Sequence, residues 1–346
     1  MPRVATQGRG GAAPPRVEEA AAGTAAGFLA ARPPGPYTAA LARRGGRPGG
    51  AGDPTDVGGG SGAAEIRVLG WGRHAARLAA SAEALAAAGL WSPVPGGWAE
   101  AAAAWARAPL AAALRAELAA APAAREACAV VLLLPPAGDA GAGDECAVYA
   151  AALPEGRGLP APTACTVLEH RRAVPRAKGS AWVTARRGLE ARKEGAEPGH
   201  EVLMVSPDGL ALEGLVTNFF ATAPPDGGGG KRGDGRRVLR TAPVEAGVLP
   251  GVARQALLEV CEAAGVEVRE EAPDVAGAAG WEAGLLTNCI RLLQPVRKLY
   301  RRGADGRVGE IELAGGAEPW PAWLRDLRAR LDARLDAEAL VIPESA

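Results

Sequence analysis

The sequence has no long apolar run. Its longest aliphatic block, Val130-Val131-Leu132-Leu133-Leu134, stops at Pro135-Pro136, far short of the roughly 20 residues that a membrane-spanning helix needs. It has no net charge either: 39 Lys+Arg face 39 Asp+Glu. No long-range field therefore draws it to nucleic acid or to an anionic membrane surface. Histidine is scarce, with only His74, His170 and His200. The last two read as surface or strand-end residues. The five cysteines, Cys128, Cys146, Cys165, Cys261 and Cys289, contain no CxxC pair. Such a set is too sparse for a structural zinc site, so no metal is expected. Odd, scattered cysteines suit a reducing compartment, and a cytoplasmic setting is expected. Met1 to Val17 carries Arg3, Arg9 and Arg16 and no acid, which keeps a chloroplast transit peptide as the alternative.

Glycine (48) and proline (29) are what the chain has in excess among its 346 residues. They are clustered, so ordered segments are expected to be separated by loops. Residues 1–20 read as a disordered tail and 21–155 as an α+β domain. In that domain Ala21 to Ala31 forms a short helix, Pro36 to Leu41 a strand, and 45–62 a Gly/Pro-rich insertion. Glu65 to Leu69 alternates as a half-buried strand should. A helix runs from Gly72 to Ala88, and a second helical region from Trp98 to Ala120 is interrupted near Pro109. Cys128 to Leu134 and Glu145 to Leu153 are strands, with a Gly-rich turn between them.

Residues 156–163 read as a linker and 164–318 as a second domain with an insertion over 224–237. Its strand candidates are Cys165 to His170, Glu201 to Val205, Leu210 to Glu213, Val216 to Thr222, Gly284 to Thr287 and Leu292 to Val296. Lys178 to Arg192 reads as a helix. Val252 to Ala264 is a cleaner one, opened by Leu249-Pro250-Gly251 and closed by Gly265, with Cys261 assigned to its core face. An amphipathic helix and tail occupy 319–346.

Gly227 to Lys231 has the look of a phosphate loop but lacks the Ser/Thr after the lysine and the helix behind it. One constellation is more informative. Glu213-Gly214-Leu215-Val216-Thr217-Asn218-Phe219-Phe220 puts an acid at a strand end, followed by a polar pair. Leu239-Arg240-Thr241 and Leu249-Pro250-Gly251-Val252-Ala253-Arg254 follow. A Pro-Gly turn feeding a helix presents backbone N–H groups and a positive dipole end to an anion. Many helices begin this way, so that feature alone decides nothing.

The order Glu, Asn, Leu-x-Thr, Leu-Pro-Gly-x-x-Arg is more specific. It resembles the class IV aminotransferases, fold-type IV enzymes of pyridoxal phosphate (PLP) that include branched-chain and D-amino-acid aminotransferases and aminodeoxychorismate lyases. The resemblance covers about Tyr37 to Val296 and is closest to a plant and algal branch. It implies an α+β fold of two domains, a smaller α/β N-terminal one and a larger C-terminal one with a barrel-like sheet. It also implies a homodimer, PLP between the domains, and an amino acid and a 2-keto acid as substrates.

The resemblance assigns residues as well. His74-Ala75-Ala76-Arg77-Leu78 with Ser81-Ala82 matches the family's helix whose Arg holds the cofactor phosphate, which implies that role for Arg77. Gly35-Pro36-Tyr37-Thr38 matches the first strand, placing Tyr37 and Thr38 toward the substrate. Lys178, 35 residues before Glu213, matches the Schiff-base lysine. Glu213 would face the pyridinium nitrogen, where a carboxylate keeps the ring able to accept electrons. Asn218 belongs to the same motif. The backbone N–H groups of Val252 and Ala253, and the Asn288-Cys289 turn, would hold the phosphate.

The sequence departs from the pattern at Leu215, where a small residue is usual, and at Ala253 and Cys289, where hydroxyl residues are usual. Each missing hydroxyl removes a bond to a charged group, about 1.5–3 kcal/mol. The insertion at 224–237 lengthens the Asn-to-Thr spacing, and no Arg-x-His pair that would grip a substrate carboxylate is found. An aminotransferase is therefore expected, with a lyase or a non-catalytic family member as alternatives.

Overall fold

A computed structural model describes residues 1–8, 13–45, 64–92, 106–121, 127–134, 145–154, 159–194, 200–223, 237–303, 305–313 and 319–344. Most of both expected insertions, the start of the second helical region and the turn after Leu134 lie outside these residues. The chain divides into two compact units, Met1–Gly156 with Ala333–Ala346, and Arg157–Asp332.

The first unit is one antiparallel sheet of seven strands covered by helices. The strands are β1 (Arg3–Gly8), β2 (Arg16–Glu19), β3 (Tyr37–Arg44), β4 (Glu65–Val68), β5 (Ala127–Leu133), β6 (Glu145–Ala152) and, from the end of the chain, β16 (Leu340–Pro343), in the order β16-β4-β3-β5-β6-β1-β2. The helices are α1 (Ala25–Ala30), α2 (Trp71–Ala87) and α3 (Arg107–Ala120). Cys128, Val130, Leu132 and Leu134 recur at every second position and share one buried cluster with Leu110, Leu114 and Leu118 of α3. That is the period-2 face of a strand packed on the stripe of an amphipathic helix. Gly89 takes φ +67, where an L side chain is strained, and so ends α2.

Three expectations change here. Residues 3–8, expected in a disordered tail, pair with β6 from Arg3↔Ala150 to Gly8↔Glu145, and Val4 and Ala5 are buried. Pairing along a whole strand outweighs a polar, Gly-containing sequence. Pro109 interrupts nothing, because it lies in the first turn of α3, where a missing N–H leaves no intrahelical bond unmade. The C-terminal tail forms β16, whose Ile342 is buried against the first unit.

The second unit contains β7 (Thr163–Glu169), β8 (Glu201–Val205), β9 (Ala211–Gly214), β10 (Asn218–Ala223), β11 (Val238–Arg240), β12 (Glu267–Arg269), β13 (Ala283–Asn288), β14 (Leu292–Arg302) and β15 (Val308–Glu312). Pairing runs β10-β13-β14-β7-β8-β9, and β9 returns to β10 through Asn218↔Glu213. Six strands thus close on themselves into the barrel-like sheet expected. One buried cluster draws from all six: Cys165 and Val167, Leu203 and Val205, Ala211, Phe219 and Ala221, Leu286, Val296 and Leu299. Closure removes the free edges of those strands.

The helices of this unit are α4 (Ala181–Ala185), α5 (Arg187–Glu190), α6 (Val252–Ala263) and α7 (Ala322–Asp336), which runs on into the first unit. The expected helix from Lys178 to Arg192 is therefore two short pieces, and Lys178 lies in the loop ahead of them. Among the described residues no helix is long and apolar enough to cross a membrane.

Candidate active site

The strand–turn–strand β8–β9 delivers Glu213 to the seam where β9 meets β10. Its side chain is buried, only 4 % exposed. Oε2 accepts the Leu249 N–H at 3.0 Å. Oε1 is buried and has no hydrogen-bond partner; Arg172 Nη1 stands 3.6 Å away, close enough to pair charges and too far to be a hydrogen bond. Burial pushes the Glu213 carboxyl up to about 7, against the pull of Arg172, the Leu249 N–H and Lys178. Lys178 is thus near enough for its charge to act on Glu213. Beside the acid stands a cation, Arg172, that sequence reasoning missed.

Next to the acid, Asn218 Nδ2 donates to the Leu249 carbonyl at 2.8 Å. The Leu249-Pro250-Gly251 turn is therefore gripped at both backbone groups of Leu249. A Cβ on Gly251 would collide with Asn218 Oδ1, so the motif's glycine is required by a close approach. Gly251 caps α6 without a side chain, and the first intrahelical bond inward is Gln255 N–H to Gly251 carbonyl at 2.9 Å. The N–H groups of Val252, Ala253 and Arg254 therefore have no intrahelical acceptor. Together with the helix dipole they could receive a phosphate.

The other motif residues are braces. Arg254 Nη2 donates to the Ala242 carbonyl at 2.9 Å and to Glu270 Oε2 at 2.6 Å. Thr241 Oγ1 donates to the Phe219 carbonyl at 2.7 Å. In the β13–β14 turn, Asn288 Oδ1 accepts from the Ile290 and Arg291 N–H groups at 3.0 and 2.8 Å. Its side-chain oxygen shapes the turn. Cys289 is buried beside it. Cys261, as expected, is core on α6, with its thiol raised to about 12 by burial.

The first unit holds its own cluster. Tyr37 and Thr38 open β3 and are buried, as are His74 and Arg77 on α2. Arg77 Nη2 donates to Thr38 Oγ1 at 2.7 Å, and Thr38 Oγ1 is 2.7 Å from His74 Nδ1. The spacing of His74 and Arg77, three apart on a helix, puts both over the same strand residue.

His200 is a strand-end residue, directly before β8, and it is buried, with Nε2 2.8 Å from Thr166 Oγ1 and its ring stacked on Tyr300 at 5.5 Å. His170 stacks on Trp182 at 5.9 Å.

The model of the family "amino-transferase class IV" matches residues 63–299. That span includes Arg77, Lys178, Glu213, Asn218, Val252, Ala253, Asn288 and Cys289. The chain belongs to the class IV aminotransferases, whose chemistry is PLP-dependent amino transfer. Solved structures agree on the fold. The PLP-bound form of a hypothetical aminotransferase from Mycobacterium tuberculosis is 19 % identical, with 96 % of this chain and 99 % of that one covered and a TM-score of 0.62. A branched-chain aminotransferase from Thermoproteus uzoniensis, solved with norvaline, is 19 % identical over 97 % and 95 % of the two chains, with a TM-score of 0.57. A fold IV transaminase from Curtobacterium pusillum is 22 % identical over 96 % and 99 %, with a TM-score of 0.60. No curated protein matches the chain in sequence.

Proposed function

We propose that this chain transfers an amino group between an amino acid and a 2-keto acid, with Lys178 as the lysine that carries PLP. The observation that supports it most directly is Glu213. A deeply buried carboxylate is held through one oxygen by Leu249 and offers the other, Oε1, to a further donor. Leaving such an atom without a bond is costly in a protein alone. A protonated ring nitrogen is a donor of the right charge, so the residues fit the cofactor.

In this reading Glu213 keeps the ring nitrogen protonated, Arg77 and the start of α6 hold the phosphate, and Tyr37 and Thr38 face the substrate. PLP, when bound, supplies an electron sink for the carbanion formed at the substrate's α-carbon. Lys178 would take up the substrate's α-proton at its Nζ. Ala253 and Cys289 weaken the phosphate cradle and leave its backbone donors in place. The family resemblance carries a homodimer with it, which light scattering would read directly.

The test is borohydride reduction of PLP-loaded protein followed by peptide mapping. Label on Lys178, and none in Lys178→Ala, is expected. Keto acid formed from an amino donor only when a keto acid acceptor is present marks transamination. Release of pyruvate from aminodeoxychorismate without an acceptor would mark the lyase instead. Protein that takes up no PLP would sink both.

A further inference from the structure

We propose that Arg172 is a positioning residue of this site, a buried cation that pairs with Glu213 and ties it to the lysine loop. The proposal rests on the reading of Glu213 and Lys178 given above. The Arg172 and Glu213 side chains are only 7 % and 4 % exposed, with Nη1 and Oε1 3.6 Å apart. Through Nη2 the same guanidinium donates to the Ala177 carbonyl at 2.8 Å, on the residue before Lys178. Its Cζ lies over the Trp182 ring, 5.1 Å from the centroid. Trp182 is fixed in turn by donating Nε1–H to the Leu215 carbonyl at 2.8 Å, two residues after Glu213. One planar cation therefore links the segment that carries the acid to the segment that carries the lysine, and a ring pinned to the acid's own loop holds it there. Arginine suits this place because its fork and its stacking face are used at once.

The separation matters. At 3.6 Å Arg172 pairs with Oε1 loosely, and a carboxylate oxygen has a second lone pair with which to accept a ring N–H. The groups acting on Glu213 are Arg172, Lys178 and the Leu249 N–H. Lys178 can give up its charge by losing a proton from its amine. Arg172 cannot. It is the permanent counter-charge for an acid that burial would otherwise neutralise.

The test uses the full chain in two states. In the apo-protein, carboxyl carbon NMR follows Glu213, its resonance assigned by its loss in Glu213→Gln. The wild-type midpoint is expected near 7. Arg172→Met is expected to raise it by about one pH unit or more, and Arg172→Lys, which keeps the charge and loses the fork, by less. With PLP labelled at the ring nitrogen, that nitrogen is expected to be protonated in the wild type and deprotonated in Arg172→Met at pH above neutral. kcat falls roughly tenfold or more there, while KM changes little. An Arg172→Met midpoint equal to the wild type's overturns the proposal. If Arg172→Met does not fold, Arg172→Lys decides it by the same midpoint. Borohydride labelling of Lys178 in the wild type is read separately: its failure would sink the functional reading, while the apo midpoint still decides whether Arg172 governs Glu213.

Discussion

Glu213 carries a measurable consequence of its burial. Its carboxyl is raised from an ordinary 4.5 to about 7, so between those values the folded apo-protein holds a proton that the unfolded chain has released. That stabilisation is full below about 4.5 and is lost as pH rises through about 7, amounting to roughly 3 kcal/mol. The urea midpoint of apo-protein is expected to fall between pH 5 and pH 8, and Glu213→Gln to flatten part of that fall. Burial raises Glu201 as well, so a slope in the same direction persists in the variant. Identical pH dependence in the two proteins would show that Glu213 titrates normally. Thr38 is the matching residue of the first unit. Its hydroxyl meets both Arg77 and His74, so Thr38→Val leaves two buried polar groups one partner short, at about 1–3 kcal/mol. PLP affinity, read by absorbance titration, is expected to fall roughly tenfold as Arg77 loses its anchor; unchanged affinity would place Arg77 outside the phosphate site.

Among the elements, α6 and its entry turn do most to shape the second unit's site. Gly251→Ala drives a methyl group into Asn218 Oδ1, so Asn218 must turn away and release the Leu249 carbonyl. A cost of about 1–3 kcal/mol and a loss of PLP affinity are expected. Gly72→Ala, on an exposed face of α2 with open space at its Cβ, is expected to stabilise by up to about 1 kcal/mol. Chemical denaturation of the pair would show whether the close approach or the glycine itself matters; equal effects would discard the collision. These elements were legible wherever a local signal existed. Leu249-Pro250-Gly251 and Gly265 bracket α6, and Ser206-Pro207-Asp208-Gly209 joins β8 to β9. β1 was not legible, because its Arg3-Val4-Ala5-Thr6-Gln7-Gly8 becomes a strand by lying between β2 and the distant β6. The Lys178 segment misled for a related reason. Its composition favours helix, while Ala177 is held by Arg172 and Trp182 by Leu215, the second a contact that no local window contains. Arg172 itself is one arginine among several near Lys178, and only the closed barrel sets it beside Glu213.

At the scale of the whole molecule, the chain's end belongs to its beginning. β16 pairs with β4 from Leu340↔Val68 to Pro343↔Glu65. Around it Glu344 pairs with Arg44 at 3.0 Å, and Glu338 meets Arg73 Nε at 2.5 Å. Arg115 donates to the Pro343 carbonyl at 2.8 Å. Ile342 is 5 % exposed and packs in the same cluster as Ile66 and Val68. The second unit's cluster contains no residue from this segment. A chain ending at Ala337 keeps all of α7 and loses this strand. Burial of Ile342 accounts for about 1.5–3 kcal/mol, and the partly buried ion pairs add less, about 1 kcal/mol between them. The first unit should therefore melt roughly 10 °C lower, since each kcal/mol shifts a unit of this size by a few degrees. Because each unit is built on its own core, the transition of the second unit should stay where it is, and a single melting curve should split into two. Scanning calorimetry of the shortened chain reads both. If the two transitions fall together, the units unfold as one cooperative body and the assignment of the last residues to the first unit alone is wrong.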